Sequence, residues 1–270
     1  MNARRSPFGS RRARGKTKDR LGLLLIGLAM AALAAMAAAG FALRPPPTDS
    51  DTLCRTDRPV AAHTFILVDA TDRLETRHRR RLRAVVAQER ERLSPYDRLS
   101  IASVRADRPQ EPRLIFSLCN PGDGRDANPL FQNTKRAQER WDAAFGDELE
   151  KAVRRASGGR AGRASPIAAS VRAVAADPDF SAAIPARRLV LVSDLLEHEQ
   201  EGFSLYAESA DYAGYRARNG RVADLRGVGV RVVTLDRADQ GARQDAARAR
   251  FWDPFFDDAD ASDVSFDPAP

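Results

Sequence analysis

Two apolar runs in this chain end at an acid. Residues 63–68 (HTFILV) are followed by Asp69, Thr71 and Asp72, and residues 188–193 (RLVLVS) by Asp194. Ser165, just before Pro166, is the third polar feature in the same frame. Asp69, Thr71, Ser165 and Asp194 offer only hard oxygen donors. Such a set suits a small divalent cation that keeps some of its waters: Mg2+ first, with Mn2+ or Ca2+ as relatives. Paired carboxylates after a first strand also fit a Mg2+-dependent hydrolase or phosphoryl-transfer enzyme, with Asp69 as nucleophile or ligand and Asp72 as acid/base. The plain alternative for Asp69 and Asp194 is helix capping or loop hydrogen bonding. Ser165 has the form of an N-cap, with proline at the first helical position. The histidines, His63, His78 and His198, are scattered, and no recognisable nucleophile motif accompanies His198.

These residues need a scaffold that brings strand ends together. The unbroken apolar runs are the mark of strands buried on both faces. Further strands are predicted at 98–104, 113–119 and 230–235. The short 107–112 connection makes the second and third strands antiparallel neighbours. Amphipathic helices are predicted at 75–93, 134–157 and 167–176, a partly apolar one at 206–219, and a last one at 239–256. In the second of these, Trp141, Phe145, Leu149 and Val153 recur every fourth residue. Strands alternating with helices predict an α/β three-layer sandwich with a mostly parallel central sheet, whose ligands sit at the carboxyl ends of the strands. Glu197, His198 and Glu199 are expected to rim that site. Trp252, Phe255 and Phe256 are expected to anchor the last helix on the sheet.

The order and spacing of these motifs resemble a von Willebrand factor A-type (vWA-like) domain, a Rossmann-like fold. That family's metal-ion-dependent adhesion site uses D-x-S-x-S, a later Thr, and a later Asp after a strand. The matching residues are Asp69 and Thr71 in ILVDATDRL, Ser165 in RASPIAAS and Asp194 in LVLVSDLLEH. The match spans roughly residues 60–255. Arg73 stands where the second serine belongs; a guanidinium cannot ligate a metal, and it could pair with Asp69 or Asp194 instead. The resemblance implies binding rather than catalysis, with a metal that accepts a carboxylate from a protein partner. Haloacid-dehalogenase-like phosphatases, the enzymatic comparison, need D-x-D at this strand end, and Thr71 breaks that pattern. A third possibility is a metal-free scaffold in an envelope or transfer complex.

Residues 21–43 form an uncharged apolar stretch, long enough as a helix for the roughly 30 Å hydrocarbon core. The stretch exceeds the roughly 7–15 residues of a signal-peptide core, so an uncleaved anchor is expected. The chain carries 44 Lys+Arg against 37 Asp+Glu, a net charge of +7. Residues 1–20 alone carry eight basic groups and one acid, equal to that total. The charge is therefore topological. It excludes a uniformly basic protein and gives no support for nucleic-acid binding by the remainder. The organisation expected is a basic cytoplasmic tail (1–20), a transmembrane helix (21–43), a proline-containing linker (44–59), a vWA-like domain (60–256) and an acidic disordered tail (257–270). The protein is expected at a bacterial inner membrane, with its main domain periplasmic and its partners in the cell envelope. Cys54 and Cys119 are the two cysteines of the chain, and in an exported domain an isolated pair suggests a disulfide rather than two free thiols. The family topology would place both at the sheet edge opposite the metal site.

Overall fold

The computed structural model describes residues 13–42, 46–127, 133–159, 162–220 and 223–267. Residues 1–12 of the basic tail, residues 43–45 with Arg44 and the first linker proline, and the last three residues lie outside the described residues. The chain divides into two compact units, Met1–Pro46 and Pro47–Pro270.

The first unit holds one helix, α1 (Ala13–Ala42). Its stretch Arg20–Ala38 is long and apolar enough to cross a membrane, and none of that stretch is buried within the protein. A helix is suited to lipid because it satisfies its own backbone hydrogen bonds. Leu23, Leu24 and Ile26 are more than half exposed, as a lipid-facing surface requires.

The second unit is built on six strands: β1 (Ala62–Val68), β2 (Arg98–Ser103), β3 (Arg113–Cys119), β4 (Ala186–Ser193), β5 (Val228–Thr234) and β6 (Asp263–Asp267). They lie in the order β3-β2-β1-β4-β5-β6. All neighbours are parallel except β2 and β3, which are antiparallel. The sheet is covered on both faces, which explains the unbroken apolar runs. Phe65 and Leu67 of β1 face one core, while Ile66 and Val68 face the other. The Ile66 side packs with α2 (Thr76–Arg92) and with α3 (Thr134–Trp141), which runs through one wide turn into α4 (Asp147–Ala156). The Phe65 side packs with α5 (Ile167–Ala175), α6 (Tyr212–Asn219), α7 (Gly241–Ala247) and α8 (Asp253–Asp258). Trp252, Phe255 and Phe256 are fully buried there, as expected of an anchor. The strand order reverses between β1 and β4, so a crevice opens between their carboxyl ends.

Three expectations need correction. The acidic end of the chain is ordered at least to Asp267. It continues as α8 and then adds β6 beside β5. Its charges have basic partners: Asp267 pairs with Arg231, which also binds the fully buried Glu89 of α2 at 2.7 Å. Val264 and Phe266 are its apolar contribution, and Phe266 packs against Phe256. Second, the linker is partly built structure, because residues 47–56 fold back through a Thr48–Arg55 bridge. Third, the helix expected at 206–219 begins only at Tyr212, where Asp211 caps it by accepting from the Gly214 N–H at 2.9 Å.

Cys54 and Cys119 form a disulfide. Cys119 ends β3 and pairs with Arg98, the first residue of β2. The bridge therefore sits at the edge opposite the carboxyl ends of the parallel strands. It closes a separation of 65 residues. In the chain-entropy picture that is worth about 4 kcal/mol. Replacing both cysteines by serine should lower the unfolding free energy by up to about that amount, read from urea denaturation.

At the same edge His63 is buried. Its Nδ1–H donates to the Asp179 carbonyl at 2.8 Å, and its Nε2 accepts from the Ser100 hydroxyl at 2.8 Å. Burial, with the nearby Arg98 charge, pulls its pKa down from 6.5 to about 4. The unfolded chain therefore binds a proton near pH 6.5 that the folded chain refuses until pH 4. Stability is full above pH 6.5 and should fall by about 3 kcal/mol as the pH drops through that window. Urea midpoints of wild type and His63→Gln across pH 7 to 4 check this: the variant should lose that part of the slope.

Candidate functional site

The site is built on three chain segments at the crevice. Asp69 follows β1, and its N–H still donates to the Val192 carbonyl of β4 at 2.8 Å, so strand pairing fixes its position. Asp69 is 6% exposed, and its carboxylate accepts from four donors. Oδ1 takes the Thr71 N–H at 3.2 Å and the Thr71 hydroxyl at 2.7 Å. Oδ2 takes the hydroxyls of Ser165 and Ser193, each at 2.9 Å. Ser165 lies before α5 and is held by two backbone bonds with His198: its N–H donates to the His198 carbonyl at 2.7 Å, and the His198 N–H donates back at 3.0 Å. Ser165 is thus not the helix N-cap; its hydroxyl is committed to Asp69, and Pro166 holds the cap position. The loop around Gly159 presses on the Asp69 turn. A Cβ at Gly159 would lie 2.0 Å from the Ala70 carbonyl oxygen, so only glycine fits.

Asp194 reaches the same edge from the end of β4. Its Oδ1 accepts the Leu196 N–H at 3.0 Å. Burial and the charge of Asp69 push the Asp194 carboxyl up to about 7. Two carboxylates in one buried edge call for a cation or a proton. The cation that meets Asp194 is Arg237, two residues beyond Leu235. Its Nε lies 2.7 Å from Asp194 Oδ2, and its Nη2 pairs with Asp72. Arg73, which could have paired with Asp69 or Asp194, is exposed at the cleft. A cleft of about 330 Å³ opens over these groups, lined by Asp69, Asp72, Arg73, His78, Asp194 and Arg237 among others.

The four sequence-derived residues are therefore brought to one edge, with Thr71 and Ser165 both turned onto Asp69. As a donor set their oxygens suit a hard cation. As arranged, they do not fit a resident one: the hydroxyls are spent on Asp69, and a guanidinium already neutralises Asp194. Among the described residues no group of three His, Cys, Asp or Glu side chains is gathered so as to hold a metal.

Two participants were missed. Ser193 was visible as the last residue of its strand. Arg237 could have been found by inspecting the residues after the strand at 230–235. Glu197, expected at the rim, is placed differently. It is fully buried rather than at the rim, and its Oε2 accepts the Ala168 N–H at 2.7 Å, at the start of α5. His198, also expected at the rim, packs its ring edge-on to Tyr206 and meets the Ser204 hydroxyl at 3.1 Å. Compared with protein-family models and with curated proteins, the chain gives no match.

Burial holds the Glu197 carboxyl well above the usual range, against the pull of the Ala168 N–H. The unfolded chain releases this proton near pH 4.5, whereas the folded chain keeps it, so the acid costs stability increasingly as pH rises. Glu197→Gln keeps an oxygen acceptor and removes that cost. Its urea midpoint should gain on wild type between pH 5 and 8, whereas Glu197→Ala, which leaves the Ala168 N–H without its acceptor, should lose about 2–4 kcal/mol at pH 5.

Proposed function

We propose that this protein is a membrane-anchored, exported vWA-like domain that binds a protein partner in the cell envelope through its strand-end cleft. The observation that carries the reading is the convergence of Asp69, Thr71, Ser165 and Asp194 beside one cleft at the strand-order reversal. The antiparallel β3 beside an otherwise parallel sheet agrees with the vWA-like assignment. The apolar helix α1 supports an anchor, and the disulfide supports an oxidising compartment. With the basic tail before the helix, the orientation is cytoplasmic N-terminus and periplasmic domain.

A binding role is favoured over hydrolysis because Asp69 is held by four donors, two on each oxygen. A carboxylate so engaged is a poor nucleophile. The partner instead meets the exposed rim, Arg73 and the Asp72 that Arg237 holds, with the buried cluster holding the loops in shape.

Photo-crosslinking in membranes tests this. A crosslinking side chain at position 73 should give a discrete adduct with an envelope protein, and one at position 57, on the opposite edge, should not. Asp69→Ala, which frees Thr71, Ser165 and Ser193 together, should cut the adduct by about tenfold. Equal labelling from both positions, or none from position 73, would remove the proposal.

A further inference from the structure

We propose that Arg237 is the built-in cation of the cleft: its guanidinium stands where a divalent ion would meet Asp194, so the site is complete without metal, and removing that side chain creates a divalent-cation site. The inference concerns the cleft on which the partner reading rests, but its test needs no partner.

All three guanidinium nitrogens are engaged. Nε meets Asp194 Oδ2 at 2.7 Å, Nη2 meets Asp72, and Nη1 donates to the Tyr206 hydroxyl at 3.3 Å. A planar fork with three oxygen partners has little rotational freedom left. Its backbone is pinned as well. The Arg237 N–H donates to Gln244 Oε1 at 3.1 Å, and Gln244 is itself buried. The Gln244 amide nitrogen donates to the carbonyls of Asp194 and Leu235, each at 2.9 Å. One buried amide from α7 thus ties together the turn that carries Asp194 and the turn that carries Arg237. A surface arginine that met an acid by chance would have no such support.

The ion pairs agree. Asp69, Asp72, Glu75 and Asp194 line one cleft with Arg73 and Arg237; Arg77 pairs with Glu75, and Arg237 contacts both Asp72 and Asp194. Asp69 is satisfied by hydroxyls and an N–H, which supply hydrogen bonds but no positive charge. Without the guanidinium, Asp72 and Asp194, which the fork now bridges, would face the cleft with no cation between them. Mg2+ is commonly held by one or two carboxylates with water in its remaining positions. Lysine is not equivalent: a single ammonium cannot span Asp72 and Asp194 as the fork does.

Full-length protein in detergent micelles, titrated with Mn2+ alone and followed by electron paramagnetic resonance, tests this. Wild type should show no site tighter than about 1 mM, and Arg237→Ala should bind one Mn2+ at least about tenfold more tightly. Asp194→Ala added to that variant should abolish the gain. Urea denaturation gives a second readout: Mg2+ should raise the midpoint of Arg237→Ala and leave wild type unmoved. If Arg237→Ala is unfolded without metal, Mg2+ should restore its near-ultraviolet circular dichroism. Equal Mn2+ affinity in wild type and variant, or no gain of affinity and no Mg2+ rescue in the variant, would overturn the proposal. Neither result depends on the crosslinked partner, so a failure of the partner reading stays separate from a failure of this one.

Discussion

The buried carboxylate of Asp69 is the constraint around which the carboxyl edge of the sheet is arranged. A charge withdrawn from water costs several kcal/mol unless hydrogen bonds replace its hydration. The fold replaces it from three directions: the turn after β1, the end of β4 and the loop before α5. Each hydroxyl that reaches Asp69 brings its own segment into place. The loop before α5 is then held from the other side by His198, and α5 by the buried Glu197. A polar cluster thus does at this edge what apolar packing does in the layers beneath it. The second carboxylate, Asp194, receives a different answer: charge from Arg237 rather than hydroxyls.

A comparable economy of charge operates across the sheet. Glu89 is fully buried between α2 and the strands, and it receives Arg188 of β4 and Arg231 of β5. Arg231 also receives Asp267 of β6. An interior glutamate is costly alone, but the chain of pairs joins one helix to three adjacent strands. This explains why the acidic end of the molecule is not shed into solvent. Its charge completes a network that an excess of arginine would otherwise leave unbalanced.

Much of the sheet was legible because strands buried on both faces leave unbroken apolar runs, as in HTFILV and RLVLVS. The acids that end those runs were legible for the same reason. Boundaries failed where charge neutralisation outweighed composition. Five acids among residues 257–270 concealed β6, since only Val264 and Phe266 advertise its buried side. Arg237 was overlooked because oxygen donors direct attention to an external cation, although the chain's own cation stood two residues past Leu235. Arg73 was suspected on motif register alone, and register does not determine which way a turn residue points. Glu197 could not be distinguished from Glu199 or Glu201, because no periodicity governs an irregular loop.

The disulfide has a mechanical meaning as well. Tension that enters the domain along the backbone at residue 47 reaches Cys54 after seven residues and can cross directly to Cys119. The intervening loop, which contains β1, α2, β2 and most of β3, is then a covalently bypassed span that carries no load. Asp69 and Thr71 lie inside that sheltered span, whereas Ser165, Asp194 and Arg237 lie beyond it, on the loaded part of the chain. A pull between the N-terminal side and a ligand in the cleft would therefore run through the chain beyond Cys119 to Ser165, Asp194 and Arg237, leaving the Asp69 turn outside the covalent path.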